Sequence, residues 1–495
     1  MEQSNANMEK SIYLGIDLGT SGVKAVLICD GQMMASHTAP LDVQRPQPLH
    51  SEQHPDSWLS AADSAVLQLP ADLRAQVVAI GLAGQMHGAV LLDNNNDILR
   101  PAILWNDGRS LTECRELETA VKKLPEITGN RAMPGFTAPK LSWVRKNEPD
   151  IFVSTAKVLL PKDWLRFKLS GEMVSDMSDA AGTLWLNTGE RRWSDEMLHA
   201  TGMTIAHMPA LCEGCEQSAT LSRQFASRWG MSPVPIAAGG GDNAAGAIGS
   251  GLACAGETML SIGTSGVIFH VDDQYRPNPA GGVHTFCHAL PGLWHQMSVM
   301  LSAASAVDWV ARTTGFSDTP SLFAAVEARD KLTVSEIFLP YLSGERTPHN
   351  DPHATGAFFG LTHDSDPVAL AQAALEGVAF AFADGANAIA ASGNEIKQLN
   401  VIGGGSRSLY WGRILASAIG KPLVYREGAD QGAAYGAAKL AQIMIEGMAS
   451  DGILETPPVL GIIEPDNGLV GKLSIKYNNF KDLYKNSQQG QRSKP

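Results

Sequence analysis

A chain of 495 residues is long for one hydrophobic core, so two domains with a ligand site in the cleft between them are the first expectation. Hydrophobic residues make up 44% of the chain and charged residues 18%, which excludes global disorder. The net charge of −13, from 38 Lys plus Arg against 51 Asp plus Glu, leaves no basic field for a nucleic acid, although local glycine-rich turns and Mg²⁺ still permit a nucleotide site.

The first eleven residues are polar and lack the apolar run of a signal peptide. No later segment reads as long and uninterrupted enough to span a bilayer, so a cytoplasmic protein with no membrane partner is expected. Residues 12–18 and 23–28 read as two β-rich segments joined by Gly19-Thr20-Ser21-Gly22. The tetrapeptide recurs as Gly263-Thr264-Ser265-Gly266, between strand candidates at 258–262 and 267–270. Either the chain holds duplicated halves or four small residues match by chance. Only the first copy has a carboxylate two residues ahead of it, Asp17, where the second has Ser261.

Six scattered cysteines do not resemble a disulfide framework, and the single C-x-x-C of Cys212 and Cys215 has no partner pair at zinc-site spacing. Residues 234–238 read as a buried strand ending in Gly239-Gly240-Gly241-Asp242-Asn243, with a small-residue helix from Ala244. Asp242 thereby stands at the carboxyl end of a strand, where α/β folds gather ligand contacts, or else is a plain helix cap. Leu370, Ala373, Ala374, Gly377 and Val378 share one face of a long helix. Beyond it, strand 399–402, the turn Gly403-Gly404-Gly405-Ser406 and helix 408–419 succeed one another, without a G-x-G-x-x-G fingerprint.

A Gly-Thr-Ser-Gly turn offers backbone N–H groups and two hydroxyls to phosphate oxygens, and two such turns could clasp a triphosphate; a tight hairpin is the plainer account of each. Asp17 is a candidate Mg²⁺ ligand, directly or through water. No Walker A sequence is present, so a P-loop mechanism is not indicated. Phosphoryl transfer also needs a group that orients and deprotonates the attacking hydroxyl, and Asp242 is the candidate.

Several segments resemble the FGGY carbohydrate kinases and, within that family, its xylulokinases. They include Gly15-Ile16-Asp17-Leu18-Gly19-Thr20-Ser21-Gly22, Gly84-Gln85-Met86-His87-Gly88, Leu104-Trp105-Asn106-Asp107-Gly108-Arg109 and Phe136-Thr137-Ala138-Pro139-Lys140-Leu141. The series continues through Leu159-Leu160-Pro161-Lys162-Asp163, Gly239-Gly240-Gly241-Asp242-Asn243 and Leu339-Pro340-Tyr341-Leu342-Ser343-Gly344-Glu345-Arg346-Thr347-Pro348. The resemblance implies two actin-like (ribonuclease H-like) α/β ATPase domains, a sugar-binding one at 11–246 and a nucleotide-binding one at 247–480, with the catalytic cleft between them.

It further implies Asp242 as the base and Asp17 near metal and phosphates. Met86 and His87 fall at sugar contacts, with Trp105, Asp107 and Asn243 lining the pocket. Thr20, Ser21, Gly263, Thr264 and Ser265 match the phosphate loops, and Gly404, Gly405 and Ser406 the nucleotide loop. Chemically, His87 suits hydrogen bonding to a sugar hydroxyl or a satisfied core position, and Trp105 suits a sugar's carbon face or a core. Arg109 and Arg346 read as structural ion-pair partners.

The segment Gly432-Ala433-Ala434-Tyr435-Gly436 is expected beside the nucleotide in the second domain; its Tyr435 and the leader Met1 to Lys10 depart from the family pattern. The implied reaction is ATP plus D-xylulose giving ADP and D-xylulose 5-phosphate, with Mg²⁺ as cofactor and a homodimer as the assembly. The alternatives are a kinase of another ketopentose or polyol, and an actin-like ATPase module that needs no sugar.

Overall fold

A computed structural model describes residues 11–492 except 330, 332, 429, 430 and 451, so the polar leader and the last three residues of the tail lie outside the described residues. The chain forms two compact units. One holds the residues up to Ala253 together with Phe286–Leu293 and Gln431–Thr456, and the other holds the remainder.

In the first unit, β1 (Ile12–Leu18) and β2 (Gly22–Cys29) are almost wholly buried, as expected of strands covered on both faces. With β3 (Gln32–Pro40), β4 (Val77–Gly84), β5 (Gln217–Thr220), β6 (Pro235–Ala237) and the two-residue β7 (Gly240–Gly241) they build one sheet, ordered β5-β6-β4-β1-β2-β3, with β7 paired to β4. Strand β1 runs antiparallel to β2 and parallel to β4.

The second unit repeats this plan. Six of its strands, β8 (Thr258–Ile262), β9 (Gly266–Asp272), β10 (Trp294–Met300), β11 (Leu399–Ile402), β12 (Leu423–Arg426) and β13 (Val459–Ile463), run in the order β10-β9-β8-β11-β12-β13. Strand β8 is antiparallel to β9 and parallel to β11, β11 is parallel to β12, and β12 is antiparallel to β13. The same sequence of pairings holds in the first sheet. Both Gly-Thr-Ser-Gly turns therefore join equivalent hairpins, which favours duplicated halves over a chance match.

Helices of both units carry or brace the candidate site residues and fill the cores. In the first unit these are α1 (Thr137–Asn147), α2 (Pro161–Ser170), α3 (Met177–Ala181), α4 (Asp242–Gly249) and, late in the chain, α7 (Gly432–Glu446). In the second they are α5 (Pro367–Ala390) and α6 (Leu409–Ile419). Although a single division at 246/247 assigns residues 432–446 to the second domain, α7 packs on the first sheet. A Cβ on Gly15 or Gly81 would stand 1.9 or 1.8 Å from carbonyl oxygens of Ala434 and Ala437, and one on Gly436 would stand 1.7 Å from that of Ala245. Glycine here permits backbone-on-backbone packing of α7 against β1, β4 and α4. Tyr435 donates its hydroxyl to the Gly31 carbonyl at 2.6 Å.

By length and composition α5 is apolar enough to cross a membrane, contrary to the expectation that no segment is. Nearly all of it is buried, and it forms the centre of the second unit's core, where Trp411 of α6 donates to the Leu375 carbonyl.

Candidate active site

Three parallel strands of the first sheet end level with one another. Leu18 of β1 and Gly241 of β7 both pair with Gly84 of β4, so the chain leaves the sheet there three times. It leaves into the turn at 19–22, into Gln85-Met86-His87, and into Asp242 at the start of α4. Carboxyl ends of adjacent parallel strands are where α/β sheets present ligand-contacting groups, and Asp17, Met86, His87 and Asp242 are gathered at this one edge.

His87 adopts a left-handed backbone, φ 69°, a conformation costly for a side chain of this kind. Its carbonyl is held by Thr137 Oγ1 at 3.1 Å and by the fully buried Lys140 Nζ at 2.8 Å, both from α1. Burial lowers the Lys140 pKa well below the usual range. The His87 ring stands edge-on to Phe136, centroids 4.7 Å apart, and its Nδ1 lies 2.6 Å from the Gly182 carbonyl. A carbonyl only accepts, so Nδ1 carries the proton, and a neutral ring presents Nε2 as an acceptor. Met86 is buried against glycine on two sides: a Cβ on Gly241 would stand 2.8 Å from Met86 Cγ, and one on Gly182 would stand 2.9 Å from Met86 Cε and 2.6 Å from His87 Nδ1.

Asp17 and Asp242 keep part of their surface open. Burial, reinforced by the charge of Asp242 and opposed by Lys24, pushes the Asp17 carboxyl up to about 7. Burial likewise raises Asp242 to about 6, opposed by hydrogen bonds from Asn243. Those bonds run from Asn243 N at 2.7 Å and Nδ2 at 2.9 Å, both to Asp242 Oδ1. Asn243 thus orients Asp242, and the acidic residue in the first turn suits the positive end of α4.

Asp17 Oδ1 is buried without a hydrogen-bond partner among the described residues. An orphaned carboxylate oxygen beside a second carboxylate's field fits Mg²⁺, which takes one or two carboxylates and keeps water and phosphate as its other ligands. Among the described residues no group of three or more His, Cys, Asp or Glu is placed to hold a metal, so Asp17 is the protein's candidate contribution.

The other candidates of the first unit support the turn at 19–22. Thr20 Oγ1 donates to Gln85 Oε1 at 3.0 Å and accepts from Trp105 Nε1 at 2.9 Å, while Gln53 Nε2 donates to the Thr20 carbonyl at 2.8 Å. Trp105 is 47% exposed, which leaves an apolar surface open beside the turn, and Ser21 is exposed. Asp107 is buried, with both oxygens engaged: Oδ1 accepts from Arg109 N and Nε, Oδ2 from Arg109 Nη2 and Ser51 N. It acts here as a loop clamp. Arg109 also reaches Glu52 at 2.7 Å, in the structural role read from the sequence.

In the second unit the two remaining loops lie side by side, because Ser261 of β8 pairs with Ile402 of β11. Gly403 has φ 89°, and a Cβ on Gly405 would stand 2.4 Å from Ile262 Cγ2. Ser406 Oγ donates to the Gly403 carbonyl at 2.6 Å. The Thr264 carbonyl accepts from Ala303 N and Ser305 Oγ, and the Gly263 carbonyl from Ala304 N, so the loop at 263–266 is pinned from behind. Gly263, Thr264, Ser265, Gly404, Gly405 and Ser406 thus form one cluster.

Gln53, Lys140, Ser178 and Gly182 also brace the first cluster, and none stands out in the sequence as a site residue. Lys140 lies within a family-like segment, whereas the others carry no signal in their spacing.

Two family models, the N-terminal and C-terminal domains of the FGGY family of carbohydrate kinases, match residues 12–249 and 258–445. The xylulose kinase of Escherichia coli K12 is 52% identical over 478 residues, 96% of this chain and 98% of that protein. The xylulose kinase of Klebsiella pneumoniae is 52% identical over 476 residues, with the same coverage. The crystal structure of a xylulose kinase from Brucella ovis superposes with a TM-score of 0.93 at 47% identity, covering 97% of this chain and 99% of that one. The chain belongs to the FGGY family of carbohydrate kinases.

Proposed function

We propose that the protein transfers the γ-phosphate of ATP to the terminal hydroxyl of D-xylulose, giving D-xylulose 5-phosphate. The observation that carries this reading is the convergence of Asp242, His87 and Met86 on one strand edge, in a chain half identical to xylulose kinases over nearly its whole length. His87 Nε2 accepts from a sugar hydroxyl and Met86 packs on the sugar's carbon side. Trp105 and Asn243 line the same site. Asp242, ionised above about pH 6 and held by Asn243, takes the proton of the attacking hydroxyl.

The cluster at 263–266 and 404–406 binds ATP, with glycine keeping its amides bare, and the turn at 19–22 carries the same phosphate-binding groups. Asp17 holds Mg²⁺, which neutralises phosphate charge when bound. Identification of the phosphorylated carbon by ³¹P and ¹³C NMR tests the reading. Phosphate on C5 supports it, and phosphate on another carbon refutes the placement of Asp242.

Cytoplasmic location and a homodimer belong to the same proposal, supported by the kinship with bacterial sugar kinases. Light scattering should give twice the chain mass; the mass of one chain refutes the dimer.

A further inference from the structure

Directly behind Gly241 lies a fully buried group of charged residues from α2 and the start of α3: Lys162, Asp163, Arg166, Asp176 and Asp179. Lys162 Nζ stands 2.5 Å from Asp163 Oδ1, 2.9 Å from Asp176 Oδ1 and 3.7 Å from Asp179 Oδ2. Buried charges persist only when paired, and this pairing fixes Asp176. Asp176 Oδ2 caps α3 by accepting from Ser178 N at 2.8 Å and Asp179 N at 3.2 Å, and it takes the Ser178 hydroxyl hydrogen at 2.5 Å. The Ser178 oxygen is thereby turned so that it accepts from the Gly241 amide at 3.1 Å.

Gly241 is the last residue before Asp242 and has no room for a side chain of its own, because Met86 fills that space. Its amide is one anchor through which the strand-to-helix junction is held. We propose that Ser178 is a positioning residue for phosphoryl transfer: its hydroxyl, aimed by Asp176, holds the Gly241 amide and so sets where the Asp242 carboxylate stands. This rests on Asp242 being the base. The segment from 176 to 182 also ends at Gly182, whose carbonyl holds His87, so the sugar arm and the base arm hang from one short element. Removing the Ser178 hydroxyl disturbs the base arm and leaves the sugar arm in place.

The test is a double-mutant cycle in the purified full chain, with D-xylulose and Mg²⁺-ATP. Ser178→Ala should lower kcat roughly 10-fold while leaving KM for D-xylulose within about 2-fold. In the Asp242→Ala background it should cost nothing further, since the residue through which it acts is gone. An equal loss in both backgrounds, or a rise in KM matching the fall in kcat, means a general structural role and overturns the inference. A crippled Asp242→Ala beside a Ser178→Ala enzyme of wild-type kcat overturns the inference alone, whereas near-normal turnover by Asp242→Ala overturns the base assignment with it. Should Ser178→Ala not fold, Ser178→Cys runs the same cycle, because sulfur fills similar space but accepts only weakly.

Discussion

Asp242→Asn keeps the shape of the side chain and an oxygen able to accept from Asn243 N and Nδ2, so the start of α4 is preserved while the proposed base is lost. A general base contributes roughly 10²–10⁴-fold, about 3–5 kcal/mol of barrier, so kcat should fall by that factor. KM for the sugar should move only a few-fold, because the proton is taken in the transition state. The pH profile gives a second handle. A carboxyl raised to about 6 is protonated below that pH and cannot accept a proton. Wild-type kcat should therefore drop as pH falls through about 6, to roughly a tenth of its plateau one unit lower. With Mg²⁺ held at Asp17 as proposed, saturating Mg²⁺-ATP keeps Asp17 ionised, so the acid limb reports Asp242. A coupled ADP assay from pH 5 to 8 should show the limb in the wild type and a flat, low profile in Asp242→Asn. Turnover within about 10-fold of wild type, or an acid limb retained in the variant, refutes Asp242 as the base.

Asp17→Asn tests, through stability, the burial of the carboxyl proposed to hold Mg²⁺. A carboxyl raised to about 7 binds protons more tightly folded than unfolded, so between pH 4 and 7 stability falls as pH rises. Without Mg²⁺ or ATP, the variant should therefore melt higher than wild type at pH 8, by roughly 2–4 °C per kcal/mol relieved, and close to it at pH 4. Differential scanning fluorimetry checks this, and no gain at pH 8 refutes the burial argument. Gly182→Ala sets a Cβ against His87 Nδ1 and Met86 Cε, and overpacking of roughly 1–3 kcal/mol predicts a KM for the sugar raised about 10-fold with ATP affinity unchanged. Steady-state kinetics with each substrate varied in turn separates the two. Gly405→Ala should do the reverse, because its Cβ meets Ile262 and Trp411 in the second unit: weaker ATP binding by calorimetry, with sugar binding untouched.

Much of the fold is legible in the sequence because its signals are local. Apolar runs broken by Gly-Thr-Ser-Gly announce two hairpins, and their recurrence points to two like halves without any knowledge of the pairing. The place of Asp242 in the fold is legible for the same reason, since it lies where a buried run ends in glycines and a small-residue helix begins. What stays hidden depends on distant packing. Nothing near Gly432 says that its helix returns to the first sheet, since close approach needs only small residues and those suit many neighbours. Asp107 reads as a pocket carboxylate until Arg109 and Ser51 are seen to engage it. Ser178 looks ordinary in sequence, and only the buried lysine and aspartate around it aim its hydroxyl at Gly241. The apolar run inside α5 is masked by the alanines and glycines that dilute it, although they let it sit at the centre of a core.

Kinase action on D-xylulose is read from ADP formation from Mg²⁺-ATP by the purified protein across D-xylulose, L-xylulose, D-ribulose, L-ribulose, glycerol and gluconate, with a no-sugar control. Sugar-dependent ADP release with kcat/KM highest for D-xylulose is the expected result. A stronger response to another sugar would contradict the substrate assignment, and equal ADP release with and without sugar would contradict kinase action on carbohydrate.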